Sequence, residues 1–328
     1  MAELRWNPLI GDWVMINSKR QARPVMPKGY CPFCPGSGKV PENYDVLKYD
    51  NDFPALSPNP PEPDRQIMGN SKIYKTDLMY GKCEVILFSP EHESSMCDFS
   101  ADHIRKIVDL WADRFIEIAK DEKIKYIFVF ENRGELVGVT QPHPHGQIYG
   151  YSFMPKKIEL ELDCFSRHYE KNHTCMFCDI NKDEKEFGQR IVYENEDFIA
   201  YVPFFAEYVY QIYIASKTHK FNITEFDGRE KDNLALTLKI ITGMYDALFE
   251  KKFPYMMCMH NAPVNDHKDT DKYFHFHIEF YTPLRSENVQ QFNASSETGV
   301  WAHCNPSSPE EKAAELRDAL ERYKKRLF

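Results

Sequence analysis

Two amphipathic helices stand out in the pattern of apolar and polar positions along the chain. The first is predicted to begin near Ser100 and the second to run from about Arg229 to Glu250, because apolar residues recur there at helical spacing. The apolar stripes consist of Ile104, Ile107, Val108, Trp111 and Phe115 in the first helix, and of Leu234, Leu238, Ile241, Tyr245 and Leu248 in the second. Runs of β-type residues precede and follow each helix, so the pattern predicts two similar α+β segments.

Several cysteines and histidines follow the same order in both segments. Each segment has a Cys-x-Phe-Cys pair, a β-type run that leads to a histidine, the helix, and a β-type run with a His-x-His motif. In the first segment these residues are Cys31, Cys34, His92, His143 and His145, and in the second they are Cys175, Cys178, His219, His275 and His277. The β-type runs are Cys83 to Phe88 and Tyr126 to Phe130, then Tyr208 to Ile214 and Phe274 to Phe280. This repetition predicts two copies of one unit, residues 1–165 and 166–328, each an antiparallel sheet with packed helices.

A third helix is predicted near the C-terminus. Ser308 to Glu311 form a capping box with proline at the first helical position. Leu316, Leu320 and Tyr323 then give this helix an apolar stripe. The proline-rich stretch from Pro54 to Pro63 is predicted to be a loop.

Composition and charge narrow the class of protein. The 328 residues are 42% hydrophobic and 28% charged, which is ordinary for a globular protein. The net charge of -9 argues against nonspecific binding of nucleic acid or of an anionic membrane, although a few local cations can still hold a phosphate. No apolar run has the length of a membrane span, and Met1 to Trp6 lack the apolar core of a signal peptide. We therefore expect a cytosolic protein.

The Cys31 and Cys34 pair has the spacing of zinc ligands, in which the second thiolate reaches the ion that the first has captured. In an unsecreted chain such a pair indicates metal or redox chemistry before a disulfide. A zinc ribbon needs a second pair about 15–20 residues downstream, and none follows. The repeat therefore proposes His92 and His143 as the remaining ligands of a structural Cys₂His₂ site.

The second copy predicts a second site, for zinc or iron, with the equivalent ligands Cys175, Cys178, His219 and His275. A competing arrangement gathers a different set around the ion, namely Glu161, His260, His275 and His277. The other interpretation of the first of these sets is that one of its histidines is a hydrogen-bonded core residue. The run from Phe274 to Phe280 places two histidines and Glu279 on one face, which favours metal or phosphate binding over a buried polar network.

The segment from Thr140 to Gln147 carries the strongest chemical signal. Pro144 favours an extended conformation at His143, and residues two apart in an extended chain project to the same face. His143 can then bind zinc while His145 faces a substrate. Gly146 is expected to let a phosphate approach the backbone because it lacks a Cβ. The alternatives are that both histidines bind one divalent ion, or that both are satisfied core residues.

Together with other segments, this motif resembles the galactose-1-phosphate uridylyltransferase family of the histidine-triad superfamily. The matching segments are Asn7 to Leu9, Trp13, Arg20 to Pro24, Asn51 to Phe53, Phe130 to Asn132, His143 to Gln147, Pro203, His260 to Pro263 and His275 to Arg285. The resemblance implies two tandem histidine-triad-like halves and a ping-pong reaction. In that reaction His145 attacks the α-phosphorus of UDP-glucose, and galactose 1-phosphate then takes the uridylyl group to give UDP-galactose. It also implies a homodimer in which the partner subunit completes each active site.

Other roles follow from the resemblance position by position. The residues expected at the phosphates or nucleotide are Arg20 and Arg23, those at the uridine and ribose are Asn51 and Asp52, and those around the reacting phosphate are Asn132, Gly138 and Thr140. The second ring nitrogen of His145 is expected to donate to a backbone carbonyl, which would fix its tautomer.

Gln147 stands where the triad hydrolases carry histidine. An amide can donate a hydrogen bond to a phosphoryl oxygen but delivers no proton. A sugar phosphate leaves as a stable anion and needs none, so Gln147 favours a transferase over a hydrolase. Near the C-terminus, Glu297 matches an acidic residue that contacts the hexose, whereas Gln291 and His303 stand where the family usually has lysine and glutamine.

Two other functions fit parts of this pattern. A phosphorylase of the same superfamily, acting on ADP-glucose or a dinucleoside polyphosphate, would share the Cys₂His₂ sites and His145. A non-catalytic zinc protein that binds partners or RNA would use the Cys-x-x-Cys pairs alone. The acidic balance and the wide separation of the pairs argue against that second function.

Overall fold

The computed structural model describes residues 2–22, 29–139, 141–266 and 268–327. Its helices are α1 (Ala101–Ala119), α2 (Lys156–Asn172), α3 (Met176–Phe187), α4 (Gly228–Leu248), α5 (Ser295–Val300) and α6 (Pro309–Leu327). Its strands are β1 (Ala2–Asn7), β2 (Asp12–Asn17), β3 (Leu47–Asp50), β4 (Thr76–Asp77), β5 (Gly81–Leu87), β6 (Tyr126–Arg133), β7 (His145–Tyr151), β8 (Ile191–Glu194), β9 (Phe198–Tyr201), β10 (Ile212–Ser216), β11 (Tyr255–His260), β12 (His277–Tyr281), β13 (Leu284–Ser286) and β14 (Val289–Gln290).

The largest element is a nine-stranded sheet of order β3-β5-β7-β6-β11-β12-β10-β9-β8, in which neighbouring strands pair antiparallel. The predicted α+β class with antiparallel sheets is confirmed. The sheets of the two halves are joined, because β6 pairs with β11 in a register that places Phe130 opposite Cys258. Smaller sheets are formed by β2-β1-β4 and by β13-β14.

The predicted amphipathic helices are confirmed, and they cover one face of the large sheet. Ser100 caps α1, since its side chain accepts a hydrogen bond from the amide of His103, and Asp227 and Glu230 form a capping box at α4. The apolar stripes of α1 and α4 are buried except for Leu248, which is partly buried, and α4 packs between α1 and α6. These contacts form the main hydrophobic core.

Two further helices pack on the opposite face of the sheet. Helices α2 and α3 pack there over a second apolar cluster that includes Tyr126, Phe165 and Phe274. The apolar pattern did not predict α2, and the predicted boundary between residues 165 and 166 falls inside it. The side chains of His145 and Gln147 project from the same face, where Phe33 and Tyr149 lie beside them.

The predicted strand from Tyr208 to Ile214 begins four residues later, at Ile212. The preceding residues form a turn, because the Gln211 side chain accepts hydrogen bonds from the amides of Glu207 and Tyr208, and Tyr210 has a φ of 62°. The Pro54 to Pro63 stretch contains no helix or strand, as predicted. No helix within the described ranges combines the length and the apolar character that crossing a bilayer requires.

Candidate active site and metal centres

His145 is the first residue of β7, and the strand alternation decides which way its neighbours point. His145 and Gln147 project away from α1, whereas Gly146 faces the helix side. A Cβ on Gly146 would lie 2.9 Å from the Phe88 ring and 3.1 Å from the carbonyl oxygen of Phe130. The glycine is therefore required by core packing, which differs from the expectation that it admits a phosphate.

One hydrogen bond fixes the tautomer of His145. Its Nδ1 lies 2.7 Å from the carbonyl oxygen of His143, so Nδ1 carries the proton and donates, which leaves the lone pair on Nε2. This is the backbone contact that a nucleophilic imidazole was expected to make. The rings of His143 and His145 both lie against Phe33, at centroid distances of 6.0 and 5.5 Å. They therefore share one side of the chain, as the extended spacing predicted.

A cavity of about 180 Å³ opens beside His145. It is lined by residues 92–95, 131–135, 139, 141–145 and 252–254. Asn132, one of the predicted phosphate-loop residues, is in this lining. Gly138 adopts a left-handed conformation with φ of 78°, which glycine tolerates without strain, and it ends a single helical turn just before the His-x-His segment.

Gln147 is oriented by two neighbours. Its Oε1 lies 3.1 Å from the Tyr149 hydroxyl and 3.4 Å from the Asn51 side-chain nitrogen, and both groups donate to it. The amide nitrogen of Gln147 is thereby left as the donor that can meet a bound ligand. Asp52, the other predicted nucleoside contact, accepts a hydrogen bond of 2.9 Å from the Tyr49 hydroxyl.

The remaining predicted substrate contacts are scattered. Arg20 lies in a helical turn after β2. Burial raises the pKa of the Tyr151 hydroxyl, and the positive charge of Arg20 opposes that rise in part. Glu297 caps α5 by accepting from the amide of Ala294, and His303 lies 3.9 Å from a carboxylate oxygen of Glu207. Neither Glu297 nor His303 lines the His145 cavity as far as the described ranges extend. The predicted residues Arg23 and Thr140 lie outside the described residues.

The first cysteine and histidine cluster brings together its four predicted members, Cys31, Cys34, His92 and His143. The Cys34 Sγ lies 3.3 Å from His92 Nδ1 and 3.6 Å from His143 Nδ1, and the Cys31 Sγ lies 3.8 Å from His143 Nδ1. A tetrahedral zinc ion with its usual bond lengths needs sulfur and nitrogen ligands about 3.5 Å apart. The separations fit such an ion.

The surroundings of His143 also suit a metal ligand. Burial lowers the pKa of His143 to about 4, so its imidazole is neutral. Its Nε2 donates to the carbonyl oxygen of Ser89 at 2.7 Å, which leaves Nδ1 for the cysteines. The Tyr44 hydroxyl lies within 3.0 Å of the same Nε2 and contacts the carbonyl oxygens of Phe33 and Ser89. Sequence reasoning missed Tyr44, which no spacing rule identifies.

The second cluster has the same design, with Cys175, Cys178, His219 and His275. The His275 Nδ1 lies 3.5 and 3.6 Å from the two sulfur atoms, and the His219 Nδ1 lies 3.8 Å from Cys178. The Nε2 atoms of both histidines donate to backbone carbonyls, those of Ser216 and Asp271. These separations fit a second tetrahedral ion.

The competing set that combined His275 with Glu161, His260 and His277 is not what the structure brings together. The His275 ring faces Cys175 and belongs to the second cysteine cluster. The third group of possible ligands contains Glu279 instead of His275. We call this group the Glu–His cluster; it consists of Glu161, His260, His277 and Glu279. The three last members are at most 3% exposed. The alternation of His275, His277 and Glu279 in the predicted run from Phe274 to Phe280 indicated a binding site. The strand itself begins only at His277, and the sequence did not show that His275 joins the cysteines instead.

His260 joins the two carboxylates of the Glu–His cluster. Its Nδ1 lies 2.9 Å from Glu161 and its Nε2 lies 3.4 Å from Glu279. Burial disfavours a charge on His260, but the two carboxylates outweigh it and raise its pKa above the usual value. Sequence reasoning also missed Lys157, whose ammonium group lies 2.6 Å from Glu279.

Comparison with known proteins supports one family over the whole chain. The family model of the galactose-1-phosphate uridyl transferase N-terminal domain matches residues 1–155, and that of the C-terminal domain matches residues 161–326. A galactose-1-phosphate uridylyltransferase from Thermotoga maritima is 40% identical over 97% of this chain and 98% of its own length. The one from Haemophilus influenzae is 32% identical over 88% of this chain and 86% of its own.

Solved structures show the same architecture. A uridylyltransferase structure that is 30% identical covers 98% of this chain and 99% of its own, with a TM-score of 0.88. An ADP-glucose phosphorylase from Arabidopsis thaliana, with bound ADP-glucose, is 23% identical over 97% of this chain and 99% of its own, with a TM-score of 0.75, and shares the fold. The family models and the curated relatives agree: this chain is an enzyme of the galactose-1-phosphate uridylyltransferase family.

Proposed function

We propose that this enzyme moves a uridylyl group from UDP-glucose to galactose 1-phosphate, and that His145 carries the group between the two steps. The observation that supports this most is the hydrogen bond from His145 Nδ1 to the carbonyl oxygen of His143. It places the lone pair on Nε2 of a ring that borders a cavity. An imidazole held in this tautomer is a nucleophile without prior loss of a proton.

The first step forms one bond and breaks one. The Nε2 lone pair attacks the α-phosphorus, and the bond from that phosphorus to the bridging oxygen breaks. Glucose 1-phosphate leaves as an anion with the electron pair, and the positive charge that develops on the ring is stabilised by the His143 carbonyl oxygen. In the second step an oxygen of galactose 1-phosphate attacks the same phosphorus and Nε2 recovers its lone pair.

Gln147 supports transfer over hydrolysis in this proposal. Tyr149 and Asn51 donate to its Oε1, so its amide nitrogen can donate to a phosphoryl oxygen. We assign Asn132, Gly138 and Thr140 to the reacting phosphate. We assign Arg20, Arg23, Asn51 and Asp52 to the nucleotide.

Zinc is the metal that we propose for both Cys₂His₂ clusters, with iron as the alternative in the second. Each cluster supplies four ligands, so neither ion keeps an open position and both would be structural. The ion in the first cluster would hold His143, and through its carbonyl oxygen the ring of His145.

The proposal extends to the organisation of the protein. Residues 1–165 would carry the nucleophile, and residues 166–328 the second metal centre and the sugar-phosphate contacts. We also propose a cytosolic homodimer. Glu297 and His303 would then contact the hexose in the site of the other subunit, since in the described residues they do not line the His145 cavity of their own chain.

The decisive experiment is labelling in the absence of an acceptor. With UDP-glucose labelled in its α-phosphate, the wild-type enzyme should retain acid-labile radioactivity, and adding galactose 1-phosphate should release it as UDP-galactose. His145→Ala should retain none. His173→Asn is a matched control, because His173 is exposed at the end of α2 in a left-handed conformation that asparagine tolerates.

Two results would contradict the proposal. Label retained by His145→Ala would exclude this residue as the nucleophile. Label taken up only from an adenylyl donor such as ADP-glucose, with phosphate as the acceptor, would identify a phosphorylase of the same superfamily.

A further inference from the structure

Lys157 covers the Glu–His cluster from the solvent side. Its ammonium nitrogen lies 2.6 Å from Glu279 Oε2 and 3.8 Å from Glu161 Oε1, and it contacts the Tyr281 hydroxyl. Its side chain is 52% exposed, whereas that of Glu279 is 2% exposed. A single cation therefore stands between solvent and four side chains that could bind a metal.

Lys157 compensates part of the charge of this group without a metal ion. The two carboxylates carry two negative charges, and the ammonium nitrogen of Lys157 lies beside both of them. Ring nitrogens of His260 and His277 face the same carboxylates at 2.9 to 3.6 Å. A divalent ion bound here would bring positive charge to the same carboxylates. Buried charges are tolerated only when they are compensated in this way.

The remaining geometry is that of a metal site. The four ligand atoms lie within 4.8 Å of one another. His277 donates from Nδ1 to the carbonyl oxygen of His275 at 2.8 Å, which turns its Nε2 toward Glu279. Such an outer hydrogen bond is what usually orients a metal-binding histidine. The donors are nitrogen and oxygen only, a set suited to divalent zinc, cobalt, iron or manganese.

We propose that the ammonium group of Lys157 takes the place of a metal ion in the Glu–His cluster, and that removing this one cation converts the cluster into a divalent-metal site. The protein would then hold ions at its two cysteine clusters alone. The metal count of the wild type rests on the zinc proposal above, but the gain of one ion on removal of Lys157 does not.

The test compares the metal content of two variants of neighbouring lysines. Lys157→Met removes the cation beside the Glu–His cluster, and Lys156→Met is the matched control, because Lys156 pairs with Glu159 in the first turn of the same helix and not with the cluster. The proteins are reconstituted with excess Co²⁺, desalted, and measured by mass spectrometry and absorption. We expect Lys157→Met to hold one more ion per chain than the wild type and Lys156→Met. The added ion should contribute d–d bands without further thiolate charge-transfer absorption.

A second substitution locates the added ion. Lys157→Met combined with Glu279→Gln should return to the wild-type count. The proposal is wrong if Lys157→Met gains no ion, or if Glu279→Gln alone lowers the wild-type count. If Lys157→Met folds poorly, Co²⁺ should restore its folding, and Lys157→Gln should behave in the same way. Failure of Co²⁺ to stabilise either variant would also contradict the proposal.

Discussion

At the residue scale, the orientation of His145 depends on the side chains that hold His143 in place. His145 donates to the carbonyl oxygen of His143, and His143 is held through its ring by Ser89 on one side and by the cysteines on the other. Tyr44 touches this arrangement at three points, including the backbone of Phe33. The proposed nucleophile is therefore held in place through the Cys₂His₂ cluster beside it.

Removal of the Tyr44 hydroxyl should weaken the first metal centre. Tyr44→Phe loses these three contacts, and outer hydrogen bonds of this kind typically change metal affinity by about 10–100-fold. We expect the variant to lose one zinc ion to a chelator at least about tenfold faster than the wild type. Tyr30→Phe is the control, because the Tyr30 hydroxyl makes only an exposed 3.4 Å contact in the same loop. Equal rates of metal loss for the two variants would show that the Tyr44 hydroxyl does not stabilise the first metal centre.

Glu131 should make the stability depend on pH. Burial raises the pKa of Glu131 from 4.5 to about 7. Between these values the folded protein keeps a proton that the unfolded chain has lost, so the free energy of unfolding falls as the pH rises through this window. At about 1.4 kcal/mol per pKa unit, the shift of Glu131 sets an upper limit of roughly 3–4 kcal/mol on this fall in the free energy of unfolding.

The amide variant isolates this effect. Glu131→Gln cannot lose a proton, so its free energy of unfolding should rise relative to the wild type as the pH goes from about 5 to about 8. Denaturant unfolding at several pH values measures the difference. The exposed Glu135→Gln should show no such trend. A constant difference between Glu131→Gln and the wild type would show that the carboxyl group is already ionised when folded.

At the scale of elements, the contact between α4 and α6 depends on a glycine. A Cβ at Gly243 would lie 2.0 Å from the Tyr323 ring, well inside any contact distance. Gly243→Ala should therefore destabilise the protein by about 1–3 kcal/mol, the usual range for overpacking a core. Gly228→Ala in the same helix meets nothing within 4 Å and should be neutral or slightly stabilising. Thermal unfolding of both variants tests this, and Tyr323→Leu should rescue Gly243→Ala if the ring is the obstacle.

The elements also show what a sequence alone can predict. Helical periodicity and capping residues are local signals, and they located α1, α4 and α6. Periodicity could not predict the metal clusters. The repeat did, because it indicated which two histidines lie close to each cysteine pair in the folded protein. The roles of Lys157 and Gly146 could not be predicted from the sequence. Their roles depend on Glu279 and Phe88, which lie close by only after the strands have paired.

At the scale of the whole molecule, the two halves contain the same histidine hydrogen bond in different surroundings. In both, the second histidine of the His-x-His motif donates from Nδ1 to the carbonyl oxygen of the first, at 2.7 and 2.8 Å. His145 then borders a cavity, whereas His277 is 1% exposed and stacks on Phe177 at 4.2 Å. The ring proposed as the nucleophile thus borders a cavity in one half, whereas the equivalent ring of the other half is buried beside Glu279.

This difference predicts separate consequences for the two metal centres. Cys34→Ser removes a ligand of the cluster that holds His143, so it should lower the rate of uridylylation at His145 by at least about tenfold, in line with the effects of loosened catalytic groups. Cys178→Ser should lose one metal ion as well, but it changes the half that does not contain the proposed nucleophile. Its labelling rate per folded molecule should stay within about twofold of the wild type, while its midpoint of thermal unfolding falls. Metal analysis, rapid-quench labelling and calorimetry on the two variants provide the comparison. Equal losses of labelling rate in both would mean that the two halves act as one unit in catalysis, and that the hydrogen bond from His145 to His143 does not by itself link the first metal centre to the chemistry.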